Sequence, residues 1–209
     1  MTPHEDKVWF DGRRKLDGIC RDVSEAVTAG SNALILAHFQ STLDAVEASL
    51  RARRIEYKSY LPLDFSSLCA GRHSFTASNV WAGLASYFQA RALSPSEKSH
   101  SSLSILLAEH HPLASRDRAV MDAAGSVPCS AQVIFHSSLR DPILEHFGGD
   151  RLRSLMKQLG MDEHECISSP VISTAIRNAQ EKIESKLERE MRTDSPEDWL
   201  KYNLRRFQP

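Results

Sequence analysis

Residues Ala33-Leu34-Ile35-Leu36-Ala37 form an unbroken apolar run. A strand with one wet face alternates apolar and polar side chains. A short run without alternation belongs to a strand buried on both faces, as in a parallel sheet covered by helices. The flanks agree. Between Arg13 and Ala29 the residues Leu16, Ile19, Cys20, Val23 and Val27 fall on one helical face, and Gly30 supplies a stop. After the run, Ser41 or Thr42 can cap a second helix whose face is Leu43, Val46 and Leu50. Ile55 to Tyr60 reads as a second strand. Further strands are expected at His73 to Ser78, Ser104 to Ala108 and Gln132 to Phe135, with a helix from Arg116 to Ala124 and a serine-rich loop from Leu93 to Ser102. Strands alternating with helices predict an α/β parallel sheet.

Beyond Ser137 the pattern becomes all-helical. Asp141 to Phe147 reads as a short helix ending at Gly148-Gly149. Asp150 can cap a helix bearing Leu152, Leu155, Met156 and Leu159, which stops at Gly160. Ser169 before Pro170 is a helix-start signal, with proline at the first helical position. Ile172, Ile176, Ala179, Ile183 and Leu187 then predict a helix to about Met191, roughly 30 Å long at about 1.5 Å per residue. Asp194-Ser195-Pro196-Glu197 opens a last helix with Trp199, Leu200 and Leu204. The expected division is a sheet domain over residues 1–136 and a helical extension over 137–209.

Charge excludes one class of partner. The 26 Lys and Arg are balanced by 27 Asp and Glu, whereas a nucleic-acid binder carries a basic excess or stripe. The cysteines Cys20, Cys69, Cys129 and Cys166 form no close pair in sequence, and the first ten residues are polar and charged, without the apolar stretch of a secretory leader. No apolar run approaches membrane-spanning length. These features predict a cytoplasmic protein with free thiols and no stable membrane insertion.

The helical tail carries a resemblance. Leu139-Arg140-Asp141, Phe147-Gly148-Gly149-Asp150-Arg151 and Leu159-Gly160-Met161-Asp162 resemble the end of the second motor lobe of SecA, the bacterial preprotein-translocase ATPase. Pro170 to Glu184, which reads P-V-I-S-T-A-I-R-N-A-Q-E-K-I-E, is similar to the start of that family's helical scaffold, close to P-x-V-T-K-A-I-x-N-A-Q-x-K-V-E. Asn178 and Gln180 are the rare residues that make the match specific. Upstream, Leu107-Ala108-Glu109-His110-His111 stands where the family has G-T-E-R-H. Ala77-Ser78-Asn79 resembles the A-T-N that opens another nucleotide-linked motif. The resemblance runs from about Arg13 to Leu187 and is strong only after about Leu139. It implies a RecA-like lobe, the second of a superfamily-two motor, with an all-helical C-terminal extension.

The resemblance also exposes missing chemistry. Such motors hold nucleotide phosphates on a glycine-rich loop with a lysine, and no G-x-x-x-x-G-K-[ST] occurs in the chain. Their second lobe supplies arginines that neutralise charge on the transferred phosphoryl group, worth about a thousandfold or more in rate. From Asp117 the chain aligns without gaps on the family's D-N-Q-L-R-G-R-A-G-R, so the three arginines fall on Met121, Ala123 and Ser126 and the glutamine on Ala119. After Asn79 the family's M-A-G-R-G-T-D is replaced by Val80-Trp81-Ala82-Gly83-Leu84-Ala85. The resemblance therefore implies no catalytic residue, no intact nucleotide site and no cofactor. Arg116 and Arg118 lie nearby, but a guanidinium must be placed within about half an ångström to serve a transition state, so both are expected to be exposed helix charges.

Other candidates are weaker. His110 and His111, beside Glu109, point to opposite faces if they continue a strand, which makes no metal site. His164-Glu165-Cys166 lacks ligand spacing. Arg51, Arg53, Arg54 and Lys58 form a small basic cluster at a helix end, where positive charge suits the dipole. Ile172, Ile176, Ile183, Leu187 and Trp199 form the possible interface. In the resembled family their helix packs along other parts of the motor, so here the stripe is covered by its own lobe, by the Trp199 helix folding back, or by another subunit.

Three functions follow as expectations. The first is an ATP-independent protein-binding or scaffolding module, not an enzyme, with a protein partner in export. The second is one lobe of a split motor whose first lobe is a separate chain. The third is a small-molecule-binding α/β domain, since fold does not fix function.

Overall fold

In the computed structural model the described residues are 4–60, 68–69, 79–89, 101–147 and 165–204. Six strands, β1 (His4–Trp9), β2 (Asn32–Ala37), β3 (Lys58–Ser59), β4 (Val80–Leu84), β5 (Ser102–Leu107) and β6 (Ser130–Ser138), form one sheet in the order β1-β6-β5-β2-β4-β3. Every ladder is parallel. The α-helices among the described residues are α1 (Gly12–Thr28), α2 (Gln40–Ala52), α3 (Ala114–Gly125), α4 (Pro142–Phe147), α5 (Pro170–Glu184) and α6 (Pro196–Asn203). The arrangement is an α/β fold, a parallel sheet with helices packed on both faces.

The apolar run at β2 serves both faces. Leu34 and Leu36 join Trp81, Ile105, Val133 and Phe135 in a core closed by Val120, Ala123 and Ala124 of α3. Ala33, Ile35 and Ala37 face the other way, against Ile19, Cys20 and Val23 of α1 and Leu43, Val46 and Leu50 of α2. A third core lies beyond the carboxyl ends of the strands. There Phe39, Leu113, Leu139 and Ile143 meet Ile172, Ile176 and Ile183 of α5 and Trp199 of α6.

Two strands escape the hydrophobic pattern. β1 carries Glu5, Asp6 and Lys7, yet it pairs with β6 along its whole length, and Val8 makes two backbone bonds with Ile167, of 2.8 and 2.9 Å, on its other side. Lys7 is matched to Asp22 and Asp6 to His110, while Glu5 is exposed. β4 starts immediately after Asn79 and is almost wholly buried. The stretch aligned with a nucleotide-linked motif is therefore a core strand rather than a site loop. Gly83 has a packing reason: a Cβ there would lie 2.8 Å from Tyr60 Cβ and 2.9 Å from the Tyr60 carbonyl oxygen. Gly83→Ala is expected to destabilise the protein by about 1–3 kcal/mol, because the obstructing atoms include backbone that cannot swing aside. Urea denaturation checks it, and an unchanged midpoint would contradict that packing.

Boundaries shift for local reasons. Of Ile55 to Tyr60, only Lys58 and Ser59 form a ladder. α2 starts at Gln40, after Phe39, with no cap from its own N-cap side chain. Instead Glu109 Oε1 accepts the amides of His38 and Phe39 at 3.0 and 3.1 Å, and Glu109 Oε2 accepts the Thr42 hydroxyl at 2.6 Å. α5 begins as expected, with the Ser169 side chain accepting the Val171 amide and Pro170 in the first turn, but ends at Glu184 rather than near Met191. The expected strand at His73 to Ser78, the helix bearing Leu152 to Leu159 and most of the loop from Leu93 lie outside the described residues.

The expectation of four free thiols is corrected. Cys69 and Cys129 are joined as a disulfide across a sequence separation of 60, while Cys20 and Cys166 are free. The pairing joins two positions far apart in sequence whose Cα atoms the fold brings to 5.7 Å, a proximity that spacing along the chain could not reveal.

Candidate functional site

Parallel strands send their carboxyl ends to one edge of the sheet, and in open α/β sheets ligands bind in the crevice there. Polar residues that leave β2, β5 and β6 converge at that edge. Asp117, near the start of α3, is the hub. Its carboxylate meets His110 Nδ1 at 2.7 Å and His38 Nε2 at 2.9 Å, and it accepts the His111 amide at 3.0 Å. The Gln180 side-chain amide of α5 donates to it at 2.6 Å and to the His111 carbonyl at 2.8 Å. His110 Nε2 lies 3.3 Å from Asp6, and its ring stacks on Phe135 with centroids 4.3 Å apart. One buried carboxylate thus ties the ends of β2 and β5 to α3 and α5.

Burial penalises a charged imidazole, yet the charge and hydrogen bond of Asp117, with Asp6 behind, outweigh it and raise His110 to about 10. Burial likewise works against the Asp117 carboxylate, and His110 and His38 reverse it, holding Asp117 well below the ordinary carboxylate range. His111 goes the other way. Burial, helped by the neighbouring His38, pushes it down to about 2. Its Nδ1 accepts the Leu113 amide at 3.0 Å, and its ring is stacked on Phe39 and meets Trp199 edge-on. The adjacent histidines therefore diverge, and no group of three or more His, Cys, Asp or Glu suited to a metal exists among the described residues.

Two further charged sets flank the hub. Lys15 Nζ donates to both oxygens of Asp141, at 2.8 and 3.0 Å, and Asp141 accepts the Ser138 hydroxyl and amide. Glu109 lies beside them, fully enclosed, and burial pushes its carboxyl up. A cavity of about 220 Å³ separates Lys15, Glu109 and Asp141 from Pro196 and Leu200 of α6. Behind the sheet, Lys7 and His136 share Asp22 at 2.6 and 3.3 Å, and Trp9 donates to His136 at 3.1 Å. Burial works against the Asp22 carboxylate, and the hydrogen bonds of His136 and Lys7 outweigh it and lower Asp22 to about 2, while burial keeps His136 itself below its ordinary value.

The positions aligned with the family's motor residues scatter. Ala119 is exposed on α3. Met121 and Ser126 line a groove of about 890 Å³ between α3 and α5, together with Arg118, Phe135 and Ile176. Ala123 is fully buried in the sheet core. Arg116 pairs with Glu190 at 2.5 Å. In the basic cluster, Arg51 bonds Glu47 and Tyr57, Arg53 bonds Ser49 and Asp17, and Lys58 lies over the Trp81 ring. Ile172, Ile176, Ile183 and Trp199 are buried within the chain and Leu187 packs against the same core. Of the covers weighed for this stripe, the lobe and the folded-back α6 are in contact with it. The sequence reading missed the hub. Its trace was present, since Asp117 and Gln180 both stand in stretches that carry the resemblance.

No family model matches the chain. Among curated proteins it is similar to the protein translocase subunit SecA of Bacteroides thetaiotaomicron, 27% identical over 182 residues that cover 86% of this chain and 16% of the relative. SecA of Chlorobaculum tepidum is 26% identical over 186 residues, 86% of this chain and 18% of its own length. A shorter stretch of 83 residues, 40% of this chain and 10% of the relative, is 37% identical to SecA of Campylobacter lari.

The chain is similar to SecA.

It spans about a sixth of the length of the SecA proteins it matches across 86% of its own length. Among solved structures, the C-terminal part of the Fun30 ATPase domain superposes with a TM-score of 0.43 at 14% identity, covering 82% of this chain and 54% of that one, a likeness too distant to carry a functional argument. Within the SecA-like chain, Asp117 and Gln180 join the arginine-motif stretch to the scaffold stretch by a direct hydrogen bond. No helix among the described residues is long and apolar enough to cross a membrane.

Proposed function

We propose that this SecA-like chain is an ATP-independent protein-binding or scaffolding module that works in protein export from the cytoplasmic side. The observation that carries the reading is the state of the arginine positions. Met121, Ala123 and Ser126 offer no charge to a phosphoryl group, and Ala123 is sealed in the core. A side chain without charge there cannot supply the transition-state stabilisation that such motors draw from arginine. The polar groups at the carboxyl edge are already committed to one another around Asp117, which supports a structural use for them. The division into a lobe over 1–136 and a scaffold-like extension over 137–209 is part of this proposal, with the extension held to the lobe through Gln180. Its partner would be a component of the translocation apparatus.

Pull-down of the tagged protein from its native cells, with and without ATP, tests the reading. Export components should be recovered equally in both conditions. A second reading is one lobe of a split motor whose first lobe is a separate chain. Recovery of a chain with a phosphate-binding loop, changed by ATP, would support that reading and overturn the first.

A further inference from the structure

Beyond Leu187 the SecA resemblance ends, and the segment from Ser185 to Leu204 has a construction of its own. It leaves α5 and runs without helix or strand to Ser195. It returns as α6, which starts on the Ser195 side chain and Pro196. Much of its bonding is internal. Asn203 accepts the Met191 amide at 2.7 Å and donates to the Met191 carbonyl at 2.9 Å, and Glu190 accepts the Trp199 indole at 3.0 Å. Bonds that cross to the lobe include Arg116 to Glu190 and the Ser41 amide to the Asp194 carbonyl. Its deepest anchor is Trp199, fully buried against the His111 ring, with Leu200 and Leu204 beside it in the same core.

A segment braced internally, held to the lobe by Trp199 with Leu187, Leu200 and Leu204 around it and by the contacts of Glu190 with Arg116 and His111, and lying outside the ladders of the sheet, is expected to have lower local stability than the sheet beneath it. Met191 and Tyr202 are exposed, and the connection between α5 and α6 has no ladder to hold it. The crevice under it holds His111 and Glu109 at the carboxyl ends of the strands, and the 220 Å³ cavity opens below the first turn of α6. We propose that residues 185–204 are a strap that closes this crevice and swings away as one unit while the sheet stays folded. Opening removes Trp199 and Leu200, uncovers His111, and widens the mouth of the small cavity around Lys15 and Glu109. The strap therefore gates the edge of the sheet at which a ligand or partner residue would enter.

Amide hydrogen exchange on the full chain, at several urea concentrations below the unfolding transition, tests this. The amides of α6 are expected to exchange about tenfold faster than those of β2 and β5, with little urea dependence, as a local opening requires. Glu190→Gln, which weakens the tie to Arg116, should speed exchange in α6 several-fold further and leave β5 unchanged. If α6 in the unmodified protein exchanges at the rate and with the urea dependence of β5, the segment is part of the global core and the strap does not exist.

Discussion

Asp117→Asn is expected to cost the protein about 3–5 kcal/mol, the cost of breaking a buried ion pair and stranding its partner, and to flatten the alkaline limb of the stability curve. The sign follows from His110, raised from 6.5 to about 10 in the fold. A group whose pKa rises on folding contributes in full below its unfolded value, and that contribution is lost as pH climbs through the folded value. Between about pH 6.5 and 10 folding takes up one proton, so the unmodified protein should lose about 1.4 kcal/mol of stability per pH unit. Below about pH 6.5 the slope reverses. His111 and His136 are held neutral by burial and must protonate on unfolding, so each subtracts stability as pH falls. Glu109, whose carboxyl is pushed up, offsets part of this in the carboxylate range. Stability should therefore peak near the unfolded histidine value. In Asp117→Asn the acid limb persists and the alkaline limb flattens, because His110 keeps only Asp6. Urea unfolding from about pH 5 to about pH 10 measures both limbs. Parallel alkaline limbs in the two proteins would show that Asp6 alone holds the proton.

The second large effect concerns the lost arginines. Ala123→Arg is expected to cost on the order of 4–5 kcal/mol, enough to keep much of the protein from folding, because it drives a cation into the apolar core beside Val120, Val133 and Phe135. Met121→Arg and Ser126→Arg stand in the open groove and should change stability by no more than about 1 kcal/mol. None of the three should produce ATP turnover, since an arginine accelerates transfer only of a phosphoryl group that another element already holds. Thermal melts and a phosphate-release assay on the three variants check these outcomes. A folded Ala123→Arg protein would show that α3 can rotate to present the position, and turnover in any variant would overturn the ATP-independent reading.

The resemblance and the hub explain each other. A glutamine in the middle of an amphipathic helix has no role that hydrophobic periodicity can read. In the fold Gln180 is buried and spends its amide on Asp117 and the His111 carbonyl, across sequence separations of 63 and 69 residues. A rare polar residue held in two similar sequences was a clue to that bond, but its partner could be found only in three dimensions.

What the sequence determined by itself was everything set by local periodicity and backbone chemistry. The two-faced strand at Ala33 to Ala37, the α1 stop at Gly30 with its positive φ, and the Ser169-Pro170 and Ser195-Pro196 helix starts all depend on neighbours a few residues away. The tertiary structure decided the rest. β1 is a strand because β6 and Ile167 satisfy its backbone and because Asp22 and His110 match its charges, none of which lies near it in sequence. Cys69 meets Cys129, Glu109 caps α2 from another strand end, and Trp199 packs on the α5 stripe. A buried charge or an apolar face states only that it needs a partner. Which partner it receives is settled by where the chain crosses itself.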